Sequence, residues 1–380
     1  MAWYGILGLL LILVILWDVF ETVILPRRVT RRFRLARAFY RWTWRPWRFV
    51  ACFLRRKKNL HESFLSYYGP LSMLGLFVVW AVGLIFGFAV LHYSIGAGMN
   101  LTPDQHPGFR NDLYWSGSTF FTLGLVAPLT SSARVLTVFE AGLGIGFLAV
   151  VIGYLPVFYG AFSQREVNIS LLDARAGSPP SPSEMLRRTA QRQNPQAFEQ
   201  NLLEWEKWSA ELMESHLSYP VLCYFRSQHN NQSWLAALTT VLDVSAILIA
   251  YAQGALKWQA KLTFAISRHA LVDLSQVLNC PPRDFEEERL PPAELNELRK
   301  ILIGAQISDC CPEEDKRLGH LRRMYEPYAR SLSERLLMPI GKWAPEAQVV
   351  DNWKTSAWAR ISAAELETTP FGTAEEGEHF

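Results

Sequence analysis

The side chains of this 380-residue chain best suited to handling an ion lie between Asn111 and Pro128, NDLYWSGSTFFTLGLVAP. The stretch opens polar and carries an aromatic pair, Tyr114 and Trp115. Hydroxyls follow at Ser116, Ser118 and Thr119, then Thr122-Leu123-Gly124-Leu125, and Pro128 closes it. Long apolar runs flank it on both sides. It is too short to cross a bilayer, which takes about 20 apolar residues. Irregular backbone at membrane depth persists only where protein buries it or where it lines a watery cavity. A short helix and a glycine-containing turn between two spans therefore predict a re-entrant loop, and the composition points to a pore. A second ionisable group, Glu140, stands inside the next apolar run, where a carboxylate is expensive and usually functional. It can brace the loop from behind through a Ser or Thr, or face the permeation path and draw cations. Both roles stay open.

No other constellation competes with this loop. His216, His229, His269 and His320, with Cys280, Cys310 and Cys311, show no zinc-ligand spacing. Ser215-His216 lacks the further partners a catalytic set needs. The reading is therefore no enzyme, no catalytic residue, no bound metal and no cofactor. No GxGxxG fingerprint and no P-loop are present.

The loop resembles the tetrameric potassium-channel pore family, in which an aromatic-rich pore helix ends in a filter of the form Thr-x-Gly-Tyr/Phe/Leu-Gly-Asp. Thr122, Leu123, Gly124 and Leu125 fit its first four places. Tyr114-Trp115-Ser116 sits where bacterial two-helix channels carry a similar aromatic pair and serine, so Tyr114, Trp115, Ser118 and Thr119 are assigned to the pore helix. The resemblance covers roughly residues 70–166. It implies four chains around one axis, with backbone carbonyls and the Thr122 hydroxyl replacing an ion's hydration shell. The chain departs from the family at Val126-Ala127, where Gly-Asp is usual. Alternatively the pair is deleted, and Val126-Ala127-Pro128 matches the family's continuation. Valine tolerates positive φ poorly, so Val126 alters the outer ion sites while those near Thr122 and Gly124 persist. The permeant species implied is a monovalent cation, potassium if the filter is selective. Gly146 aligns with a family hinge glycine, or Gly144 if the pair is deleted, and Pro156 should bend the lower span.

These residues need elements to hold them. Half of the chain is hydrophobic, yet its mean hydropathy is only +0.05, so a membrane part must balance a polar part. Residues 1–26 read as a retained transmembrane helix, because the run has no basic leader or small-residue cleavage site and carries Asp18 and Glu21. Residues 27–69 form a basic linker with no carboxylate from Arg27 to Lys58. Excess Arg and Lys beside a span mark the cytoplasmic side, which places the amino terminus outside. The interleaved Phe39, Tyr40, Trp42, Trp44 and Trp47 suggest a helix in the headgroup layer, kinked at Pro46. Membrane lipid is the expected partner there, with anionic lipid the narrower option and nucleic acid disfavoured. Residues 70–166 form the pore domain, with a span at 71–91 containing Gly83 and Gly87 in GxxxG spacing. A polar outer loop follows from His92 to Arg110, with His92 and His106 read as solvated. The third span lies at about 135–162.

Residues 167–182 read as a linker, stiffened by SPPSP. Residues 183–364 read as a helical cytosolic domain, and 365–380 as a disordered acidic tail. Phe198, Leu202, Leu203, Trp205 and Leu212 fall on one broad helical face. Residues 234–251 are apolar enough to suggest a span but contain Asp243, which favours a buried core helix. Five cysteines without CxxC pairs argue against a disulfide framework. The chain is thus expected to be an all-α, multi-pass protein of the cell inner membrane with three spans, one re-entrant loop and a cytosolic helical domain. Its expected function is that of a potassium-channel-like cation channel, homotetrameric and gated through the cytosolic domain. The alternative is a non-conducting membrane sensor or scaffold on the same architecture.

Overall fold

The structure is a computed structural model that describes residues 2–25, 34–96, 108–125, 127–190, 195–229, 231–284, 288–308 and 310–344. Val126, His106, the arginines from 27 to 32 and the tail 365–380 lie outside them. Every helix or strand assigned among the described residues is helical. Four helices are long and apolar enough to cross a membrane: Trp3–Ile24, Leu60–Ile95, Ser131–Ala176 and Trp234–Tyr251. The chain divides into two units. Unit 1 is Met1–Phe162 with Ser218–Arg226, and unit 2 is Ser163–Leu217 with Ser227–Phe380.

Unit 1 is organised on α3 (Lys58–Ile95), against which α1 (Ala2–Val19) packs. Gly8, Gly83 and Gly87 make that approach possible. A Cβ on Gly8 would sit 2.8 Å from the Gly87 carbonyl oxygen, and one on Gly87 would sit 2.7 Å from Ile12. Gly87 thus lies where two backbones touch and Gly83 makes room for the Ile15 side chain, the close packing small residues permit in lipid. Two carboxylates are buried here, Asp18 in α1 and Glu21 in the helical turn Phe20–Ile24 that follows it. Asp18 accepts from Trp80 Nε1 of α3 at 2.9 Å and from the Ala36 backbone N–H at 3.1 Å. That N–H lies in the first turn of α2 (Leu35–Phe53), where backbone donors have no helical partner and the dipole favours an anion. Glu21 accepts from Trp17 Nε1 at 2.8 Å and pairs with Arg34 at 3.7 Å. Both acids therefore fix where α2 begins.

One side of α2 lies on α3. Trp44 meets Tyr68 with ring centroids 4.7 Å apart, and Trp47 stacks on Phe64 at 4.4 Å. Pro46 sits inside the helix without ending it. The returning segment Ser218–Arg226 adds Tyr224 to the same cluster, 5.0 Å from Trp44 and 5.2 Å from Tyr68. Phe225 fills the space over Gly69, where a Cβ would come within 2.9 Å of its ring.

α5 (Ser131–Ala176) is longer than the span expected at 135–162. Residues 167–176, read above as the start of a linker, continue it, because no breaker occurs before Gly177 at φ +83°. The Pro-rich turn that follows is also no exposed linker: Ser178 and Ser181 are buried in unit 2.

Unit 2 surrounds α8 (Trp234–Tyr251), all of whose residues are buried. Ser233 caps it, its hydroxyl accepting from the Ala236 N–H at 3.0 Å. α6 (Pro182–Ala190), α9 (Gly254–Val277), α11 (Pro312–Arg323) and α12 (Glu326–Leu336) all pack against it. α7 (Pro195–Ser218) buries Phe198, Leu202, Trp205, Trp208, Leu212 and His216 at helical spacing. Leu203, expected on that face, is exposed, since it lies a 100° step from Leu202. α11 and α12 are separate helices, parted at Met324–Tyr325. Pro327 stands in the first turn of α12, where its missing N–H costs nothing. α10 (Pro292–Gly304) completes the unit, and no disulfide occurs among the described residues.

A buried polar network ties α5 to α7 within unit 2. Arg165 pairs with Glu166 at 2.7 Å and donates to His216 Nε2 at 3.3 Å. His216 Nδ1–H then donates to the Leu212 carbonyl at 2.9 Å, the neutral tautomer. Glu166 also accepts from Ser227 Oγ and from the Gln228 N–H, each at 3.2 Å. Burial and the neighbouring Arg165 hold the His216 imidazole well below its usual range. A depressed pKa means that the unfolded chain takes up a proton that the folded chain refuses. The contribution is therefore full above about pH 6.5, the unperturbed value, and is lost as pH falls below it. Thermal unfolding of the full protein should show a drop between neutral and mildly acidic pH that His216→Gln flattens. An unchanged slope in that variant would contradict this.

Candidate functional site

Three helices meet at this region: α3, α5 and, between them in sequence, α4 (Phe109–Phe120) with the segment after it. α4 has 12 residues, about 18 Å at 1.5 Å per residue, against a bilayer core of about 30 Å. Asp112 stands buried in its first turn, where the helix dipole favours a carboxylate. Trp115, Ser116, Ser118, Thr119 and Phe120 are buried, whereas Tyr114 is exposed. Ser118 spends its hydroxyl on the Trp115 carbonyl at 2.9 Å.

α4 ends in a Schellman turn. The Thr122 N–H bonds to the Thr119 carbonyl at 2.9 Å and the Leu123 N–H to the Ser118 carbonyl at 2.7 Å. The left-handed position that glycine usually fills in this motif is held by Thr122, at φ +59°. A β-branched residue there is an outlier and costs about 1–2 kcal/mol. Gly124 follows at φ +66°. Leu123 and Leu125 are 62% and 65% exposed, and Leu123–Leu125 form no helix or strand. This is the stretch matched above to a filter; its fifth residue, Val126, is not described.

A buried polar cluster joins all three helices. Glu140 of α5 bonds through Oε2 to His92 Nε2 of α3 at 3.0 Å, and through Oε1 to the Ser116 hydroxyl of α4. Ser116 also reaches the Ile85 carbonyl at 2.7 Å. His92, Ser116 and Glu140 are fully buried. The His92 ring lies 4.1 Å from the Trp115 ring, and its Nδ1 has no hydrogen-bond partner among the described residues. Here the structure corrects the sequence reading, which put His92 in a solvated loop. α3 runs on to Ile95 and is capped by Gly96 at φ +59°, so His92 is helical. That glycine was the available signal. Glu140→Ala should remove about 2–4 kcal/mol of stability, since it leaves a cavity and strips His92 of its hydrogen bond. Glu140→Gln, which keeps an acceptor, should cost less; unfolding of the detergent-solubilised protein measures both. Equal loss in the two variants would contradict the hydrogen-bonding account.

The glycines of α5 separate by environment. A Cβ on Gly144 would overlap the Phe120 carbonyl oxygen and lie 2.9 Å from its carbon. Gly142 and Gly146 have nothing among the described residues within 4 Å of that position. Gly144 thus seats α5 against the end of α4, and Gly146 is free of packing. Pro156 lies within the continuous α5, next to Tyr154 and Phe158 of the unit 1 core. Among the described residues no cluster of three or more His, Cys, Asp or Glu could hold a metal ion. No family model, curated protein or solved structure matches the chain.

Proposed function

We propose that this chain is a potassium-channel-like cation channel whose permeation loop is the segment after α4. One observation carries the reading: exposed, irregular backbone at Leu123–Leu125 stands between two membrane-length apolar helices. Such backbone is tolerated at membrane depth only against protein or water, and its carbonyls can stand in for an ion's hydration shell. The cluster of His92, Ser116 and Glu140 supports the loop from behind, since a filter works only if its geometry is held. One chain supplies a single loop, so four copies around an axis complete the pore in this reading. In this reading α1, α3 and α5 span the membrane, and α8 is the core helix of a cytosolic unit that acts on α5. The amino terminus lies outside and the membrane is the cell's inner one. Planar-bilayer recording of the purified protein tests the proposal. Unitary cation currents altered by Thr122→Ala support it. Persistent silence across voltage, pH and lipid composition sinks it.

A further inference from the structure

We infer that the outward face of α2 binds the phosphate headgroups of anionic phospholipid in the membrane that α1 and α3 enter. The inference rests on the membrane reading of those helices and not on conduction. α2 has three faces. One, with Trp44, Trp47 and Ala51, is spent on α3: Trp44 and Ala51 are buried, the Trp47 indole N–H donates to the Phe64 carbonyl at 3.3 Å, and the Ala51 carbonyl meets His61 at 2.8 Å. Trp42, Phe49 and Phe53 recur on the side away from it at intervals of seven and four, and are 71%, 78% and 85% exposed. Between these two faces runs an arginine stripe, Arg41, Arg45 and Arg48, at intervals of four and three.

None of these three arginines pairs with a carboxylate among the described residues, and no carboxylate occurs in the sequence between Glu21 and Glu62. Large exposed aromatics beside unpaired guanidinium groups fit a bilayer boundary. The rings enter the acyl region while the arginines meet headgroup phosphates, for which the guanidinium fork is shaped. A soluble anion would use the arginines and leave the aromatics in water. Asp18 and Glu21 secure the start of the helix to α1 and α3, so the face is presented and not free to roll.

The test reconstitutes the full chain in bilayers of equal parts phosphatidylcholine and phosphatidylglycerol and measures the lipid retained by native mass spectrometry. Phosphatidylglycerol should be enriched. Combined Arg41→Gln, Arg45→Gln and Arg48→Gln should lower the enrichment about tenfold or more, on the scale of roughly fivefold per basic residue near an anionic surface. The three side chains lie off the packed face, and the matching Lys triple variant, which keeps the charge, should retain most of the enrichment. Equal retention of both lipids would overturn the inference, as would an enrichment that survives the Gln triple variant. So would release of a nucleic acid by that variant with lipid unchanged.

Discussion

Gly144→Ala should abolish most ion flux and destabilise the protein, while Gly146→Ala, two residues on, should do neither. The methyl group at 144 would collide with the backbone of Phe120, at the last turn of α4. Backbone cannot rotate aside as a side chain can, so α4 or α5 must shift. Overpacking of this kind costs about 1–3 kcal/mol. Phe120 lies inside the Schellman turn, which the Ser118 and Thr119 carbonyls close onto Leu123 and Thr122, so any displacement of Phe120 passes directly into Leu123–Leu125. At 146 the added methyl meets open space, and alanine in place of a helical glycine is worth up to about 1 kcal/mol. The two substitutions should therefore move stability in opposite directions. Unfolding and liposome flux on the same preparations check this. Were Gly146 instead a hinge on which opening depends, Gly146→Ala would impair flux while leaving stability intact.

The second large effect is expected in unit 2. Arg289 donates to Asp243 of α8, to Glu326 at 3.2 Å and to the Gly341 carbonyl at 2.8 Å. Its guanidinium also lies 5.3 Å from the Trp343 ring centre. Asp243 is fully buried and accepts from Tyr325 as well. Removing the arginine leaves that carboxylate without its counter-charge in the centre of the unit, a loss worth about 3–5 kcal/mol. Arg289→Ala should thus unfold unit 2 at much lower temperature. Arg289→Lys should recover part of the loss, because it restores charge without the two-pronged geometry. Circular dichroism melts of the full protein measure both, and an Ala variant as stable as the native chain would contradict the account.

Much of the helical layout was legible because it rests on local chemistry. Long apolar runs declare their helices within a few residues, whereas the sequence reading passes over the stops at Gly96 and Gly177 and makes the Ser-Pro-rich turn before α6 a linker. The loop between α3 and α5 was legible for the same reason: twelve helical residues with hydroxyls cannot be a span. What escaped depended on partners far along the chain. His92 looked like the polar end of an apolar run, because its partner Glu140 stands 48 residues away. Asp18 and Glu21 served only to argue against a cleaved leader, although they set the start of α2. PVLCYF at 220–225 has no helical or strand period that would assign it to unit 1. Its place follows from aromatic packing on Trp44, Tyr68 and Gly69. At Gly144 and Gly146, sequence spacing left the two glycines interchangeable, and only the position of Phe120 distinguishes them.

The most direct test of a conducting loop is cation flux from proteoliposomes, comparing potassium, sodium and a large organic cation, with the oligomer verified in the same vesicles. The account predicts potassium flux well above that of empty vesicles, sensitive to substitution at Thr122, with the organic cation retained. An intact oligomer that passes none of the three under any voltage, pH or lipid would contradict it and leave a membrane sensor built on a sealed loop.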